Sequence, residues 1–203
     1  MPPPTAIDHP RAEARRQQIL CAAARCFSEH GFHGASISQI SKEAGMSAGH
    51  IYHYFDNKEA IIAAIVAQDL ESLLRLTAEL RDACDIRQAM IVRAAESVAE
   101  QLDPLTAGLK LEIVAEASRN PRVAQIVREA DATCRQSLAE TIRIVRRRSG
   151  HHDDEESIAA MVEALAVLFE GLLLRTIRNP GLDHARVARQ VQRAIDDILS
   201  QPS

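Results

Sequence analysis

Residues 45–59, GMSAGHIYHYFDNKE, hold both tyrosines of the chain, one of its four phenylalanines and two of its eight histidines. Aromatic residues make up only 3% of the protein, so their gathering in one short segment asks for a chemical reason. Imidazole and phenol groups side by side can donate and accept hydrogen bonds at base edges and phosphate oxygens without carrying full charge. Stepped as a helix, 48–55 places Ile51 and Phe55 on one face with Ala48 beside them. Gly49, His50 and His53 point the opposite way, with Tyr52 on one flank and Tyr54 on the other. This layout suits a major groove, base edges facing the outward side and phosphates the flanks. Gly49 lets the backbone come close. Ser36 and Ser47 open helices whose free amides welcome phosphate oxygens, and Lys58 adds a cation. Two other readings fit the same wheel. The tyrosines and histidines could be plain surface, and His50 with His53 at i, i+3 could hold a metal if further ligands joined them; the nearest carboxylate, Asp56, lies on a capping turn.

Rival chemistries lack their signatures. There is no Ser-His-Asp arrangement and no glycine-rich phosphate loop. Glu112 and Glu116 would suit a metal-binding helical bundle, but no Glu-x-x-His motif accompanies them. Cys21, Cys26, Cys84 and Cys134 form no CxxC pair and no metal-finger spacing, and read as small buried thiols of a reducing compartment. No catalytic residue, metal or cofactor is expected. The net charge of −4 does not advertise nucleic-acid binding. Residues 1–60 carry six Lys/Arg against six Asp/Glu, so the first part is neutral and any DNA contact must rest on placement. The N-terminal MPPPTAIDHP is no secretory signal. No apolar run approaches a membrane span, and the greasiest segment, 158–177, carries Glu163, Glu170 and Arg175. A cytoplasmic protein with no membrane partner is expected.

The elements that position these residues are all helical. Residues 1–10 read as an arm, from which only Arg11 could reach a groove. A helix over 11–30 ends at Gly31. Ser36-x-x-Gln39 is a capping box that opens a short helix to Ala44, and Gly45-Met46-Ser47 turns the chain into the helix over 48–55. Asp56-x-x-Glu59 reads as a second capping box, opening a helix over 57–81. Further starts are Asp85, Asp103-Pro104, Asn120-Pro121, Asp153-x-x-Glu156 and Asp183. The result is an all-α protein of nine helices.

The stretch RQQILCAAARCFSEHGFHGASISQISKEAGMSAGHIYHYFDNKEAIIAAI, 16–65, resembles the DNA-binding domain of the TetR family of bacterial transcriptional regulators. The matching features are F-x-E-x-G-F after an alanine-rich helix, S-x-x-x-I-x-x-x-A-G-M-S, and G-x-I-Y-x-Y-F-x-x-K-E. The resemblance implies a three-helix helix-turn-helix domain over 11–57, with the motif at about 36–55, and an effector-binding and dimerisation domain over 58–203. It implies phosphate contacts from Ser36, Ser47, Tyr52, Tyr54 and Lys58, base contacts from Ala48, Gly49, His50 and His53, and a homodimer on double-stranded operator DNA, most often a repressor released by a small-molecule effector. His50 departs from the small residue usual at its position, so operator preference does not transfer.

In the body, helix 154–178 is apolar on two faces, one with Ile158, Met161, Leu165, Phe169, Leu172 and Thr176, the other with Val167, Gly171 and Leu174. Two greasy faces need two neighbours, here the chain's own core and a partner copy, joined by the helix over 183–200; burial within a single monomer is the alternative. Met90, Arg93, Glu112, Glu116 and Phe169 are candidate effector contacts. Arg146-Arg147-Arg148 and the following HHDDEE read as a solvated helix end.

Overall fold

The computed structural model describes residues 8–152 and 154–201, and nine α-helices account for nearly all of them. They are α1 (Asp8–Gly34), α2 (Ile37–Glu43), α3 (Ala48–Tyr54), α4 (Lys58–Asp82), α5 (Ile86–Gln101), α6 (Pro104–Ala117), α7 (Pro121–Arg148), α8 (Glu155–Arg178) and α9 (His184–Ser200). The chain packs as two units: residues through Ala67 with Gly108–Ile126, and Gln68–Ala107 with Val127–Ser203. The first unit is thus wider than the sequence boundary at 57 and 58, because most of α6 and the start of α7 pack with the helix-turn-helix.

Helix starts follow side-chain chemistry. Ser36 forms the expected capping box with Gln39, and Asp85 and Asp183 accept from the backbone N–H three residues on. Two caps shift by one residue. Asn57 Oδ1, not Asp56, accepts from Ala60 N at 2.8 Å. Asp154 caps α8, accepting from Ser157 N at 2.8 Å, while Asp153 lies outside the described residues. The first helix also begins earlier than expected, at Asp8, so Arg11 is helical; residues 1–7 of the expected arm lie outside the described residues. It breaks at Gly31, whose φ of 71° is left-handed backbone open to glycine at little cost.

The second unit is built around α5, which packs Ile86, Met90, Ala94, Val98 and Leu102 against Val191, Ile195 and Leu199 of α9 and the apolar face of α8. Gln192 Nε2 donates to Ile91 O at 2.9 Å and Arg87 Nε to Asp196 Oδ1 at 2.8 Å, fixing the register of α5 on α9. Between α4 and α7 the buried Thr77 and Ser137 hydroxyls lie 2.7 Å apart, and Arg81 Nη1 donates to Ser137 O and Thr141 Oγ1. Every polar atom named there has a partner, which is the condition for burying it without loss.

Three sequence expectations change here. Cys26 is buried, and burial pushes its thiol pKa up, but Cys21 and Cys84 are exposed. Arg146 is 1% exposed, not solvated. By length and composition α8 is long and apolar enough to cross a membrane, despite Glu163 and Glu170. Its Ile158, Met161, Val162, Leu165, Leu172 and Leu173 are buried in this fold.

Candidate nucleic-acid interface

Apolar anchors from four helices place the reading segment. Ile19, Leu20, Ala23 and Phe27 of α1, Ile40 of α2, Ile51 and Phe55 around α3, and Ile61, Ile62 and Ile65 of α4 are all buried. Gln18 Nε2 donates to Ala44 O at 2.7 Å and Arg25 Nη1 to Glu43 Oε1 at 2.9 Å, tying α1 to the end of α2 where the turn begins. Gly45, at φ 63°, makes the turn, and Met46 N returns to Ser41 O at 2.9 Å. Ser47 Oγ then accepts from His50 N at 3.2 Å and starts α3.

Of the seven residues of α3, only Ile51 is buried. Ala48, Gly49, His50, Tyr52 and His53 are exposed, Tyr52 at 54%, and Tyr54 is half-buried. Ala48 therefore faces solvent and does not pack beside Ile51. No atom would meet a Cβ built on Gly49 within 4 Å, so the backbone there is open to a close partner. The His50, His53 and Tyr54 rings form one cluster, with Tyr54 centroids 5.4 Å from His50 and 5.2 Å from His53, the latter edge-on. Arg16 lies over the Phe55 ring, 5.2 Å from its centroid.

The expected phosphate contacts divide. Ser47 keeps its hydroxyl hydrogen, whereas Ser36 both accepts from Gln39 N and donates to Gln39 Oε1. A phosphate at Ser36 would meet backbone amides first. Lys58 turns inward: Nζ donates to Ala35 O at 2.9 Å and to Phe32 O, and sits 4.5 Å from the Phe32 ring centroid. Lys58 thus satisfies carbonyls left by the break in α1, a role its sequence position does not show, and keeps one N–H for another partner.

The candidate effector contacts have partners within the protein. Gly108, Glu112 and Glu116 line up at i, i+4 and i+8 on α6 against the end of α1. A Cβ on Gly108 would lie 2.4 Å from Ser28 Oγ. Glu112 Oε1 accepts from the Phe32 backbone N–H at 2.7 Å. Glu116 is 1% exposed; its Oε1 accepts from Asn120 Nδ2 at 3.1 Å. Its Oε2 faces His33 Nε2 at 3.0 Å and Arg119 Nη2 at 3.6 Å without a directed hydrogen bond. The remaining candidates belong to the second unit: Met90 is buried in its core, Phe169 packs on that core, and Arg93 pairs with Glu96 and Glu100 on its own helix. Glu112 and Glu116 thus belong to the first unit and Met90, Arg93 and Phe169 to the second. Among the described residues no cluster of three or more His, Cys, Asp or Glu could hold a metal ion.

Comparison with known proteins matches this arrangement at both ends of the chain. Residues 19–65 fit the family model described as bacterial regulatory proteins, tetR family, and residues 87–200 that of the BetI-type transcriptional repressor C-terminal domain. The chain is 34% identical over 196 residues to the HTH-type transcriptional regulator UidR of Escherichia coli K12, covering 96% of this chain and 98% of that one. It is 28% identical over 175 residues to the HTH-type transcriptional repressor Rv1474c of Mycobacterium tuberculosis, covering 85% and 87%. Among solved structures, Salmonella enterica GusR superposes with a TM-score of 0.77 at 28% identity, covering 93% and 96%.

Proposed function

This chain belongs to the TetR family of bacterial regulatory proteins and is a transcriptional regulator, not an enzyme, and we propose that it works as a cytoplasmic homodimer reading a near-palindromic operator. The carrying observation is α3, which buries a single residue and turns Gly49, His50, Tyr52 and His53 outward. Base edges would meet His50 and His53, and phosphates would meet the amides behind Ser36 and Ser47 and the flanking Tyr52 and Tyr54 hydroxyls.

The second face of α8 supports the dimer. Val167 is 67% exposed, Leu174 45% and Ile177 59%, and nothing lies within 4 Å of a Cβ on Gly171. A contiguous apolar stripe left bare on one copy suits an isologous seam with another. In the dimer the two α3 helices must sit about 34–36 Å apart to enter successive major grooves. A small-molecule effector that prefers another body geometry changes that spacing through α4 and releases the operator, each ligand weakening the other by the same factor. Gel-shift titration with DNA flanking the protein's own gene tests the reading; failure of the intact dimer to hold any duplex site would end it.

A further inference from the structure

The corner where α7 ends and α8 begins forms an open pocket of about 150 Å³, lined by Arg143, Arg146, Arg147, His151, His152 and Glu155 over Ile158. Gly150, at φ 82°, lets the loop fold back over the helix end, where the His151 N–H donates to Arg146 O at 3.0 Å. Arginines in a last helical turn ordinarily answer the partial negative charge of its free carbonyls. Other duties explain most of this cluster. Arg143 Nε donates to Glu155 Oε1 at 3.1 Å and holds the Glu155 carboxyl below the usual carboxylate range. Arg146 Nη1 donates to Leu199 O and Gln201 O at the end of α9. Arg148 Nη1 reaches Cys84 O at 3.5 Å. Two pocket-lining side chains make no hydrogen bond or ion pair with the described residues: Arg147, whose charge acts on the Glu155 carboxylate at longer range, and His152.

The size and chemistry of the space select a ligand class. Pockets for drug-sized molecules measure about 300–1,000 Å³, so this one takes a single compact group. Among the described residues its lining presents three guanidinium groups against one carboxylate, with Arg143 already on Glu155 and Arg146 on the α9 carbonyls. Planar guanidinium forks match the oxygens of a tetrahedral oxyanion, and an imidazole can donate to a third oxygen. We propose that the α7–α8 corner binds a phosphate group, as inorganic phosphate or the phosphomonoester end of a metabolite, held by Arg147 and His152 beside Arg143. The proposal does not depend on the DNA reading, and neither one's failure touches the other.

Thermal unfolding of the full chain is measured against inorganic phosphate and against glycerol phosphate, with sodium chloride holding ionic strength constant. The expected result is a saturable rise in Tm of about 2–4 °C, absent in Arg147→Ala and smaller in His152→Ala. Both variants keep the parent Tm without phosphate, since neither side chain is bonded. Arg147→Lys, which keeps the charge and loses the fork, responds weakly, and it decides the matter if the alanine variant unfolds early. A rise with inorganic phosphate alone identifies the free ion as ligand, and one with both compounds admits the monoester. No rise above the chloride control, or an equal rise in Arg147→Ala and Arg147→Lys, overturns the site.

Discussion

The carboxylate of Glu112 accepts the backbone N–H of Phe32 at 2.7 Å, joining α6 to the break in α1 across 80 residues of sequence. A buried amide left without its acceptor costs about 1–3 kcal/mol. Glu112→Ala should lower the thermal midpoint and weaken operator binding although Glu112 faces no DNA, while Glu112→Gln, which keeps an acceptor, should recover most of both. Unfolding curves paired with gel shifts measure this; alanine and glutamine variants that behave alike would remove the bond from the account.

Lys58 should show two losses together. Two carbonyls, Phe32 O and Ala35 O, lose their donor in Lys58→Ala, so stability falls by about 1–3 kcal/mol. If its third N–H also meets a phosphate, affinity drops equally for all sequences and the salt slope falls by about one. Lower stability with an unchanged slope would assign Lys58 to the turn alone.

His53→Ala should relax base preference, and part of that loss should be shared with Tyr54→Ala through ring contact, whereas Tyr54→Phe keeps the ring and loses only the hydroxyl. The Tyr54 ring packs edge-on against His53, so truncating either residue frees the other. A double-mutant cycle on operator affinity should return a coupling of about 0.5–1.5 kcal/mol for the alanine pair. Simple additivity would mean the rings act separately.

Val167→Glu should give a folded monomer. Val167 is 67% exposed on a single copy, so a carboxylate there leaves the chain's own core intact while placing charge in the proposed seam. Sedimentation velocity reports the assembly and circular dichroism the helix content; a dimer that survives the substitution would move the seam elsewhere.

Much of this arrangement was legible because it is local. Capping boxes and proline starts depend on residues three or four apart, and they marked Ser36, Asp85, Asn120 and Asp183 correctly. Where two capping residues stand together, as in Asp56-Asn57 and Asp153-Asp154, local chemistry offers both, and the second of each pair is the one that caps. The outward face of α3 was legible for the same reason: a wheel needs only neighbours. The inward contacts of Lys58 and Glu112 and the burial of Arg146 were not legible, because their partners are carbonyls and amides 23 to 80 residues away, at helix ends whose position only the folded chain reveals. The i, i+4, i+8 row of Gly108, Glu112 and Glu116 was a signal in plain view, a small residue and two acids on one stripe, that would have placed α6 against another helix.

Gly31 carries two constraints at one joint. Its backbone is left-handed, and a Cβ there would also stand 3.2 Å from Glu112 Oε1. Any side chain at position 31 meets a strained backbone and must displace the Glu112 carboxylate by a few tenths of an ångström, so substitutions there are expected to loosen the reading head from a site that never touches DNA.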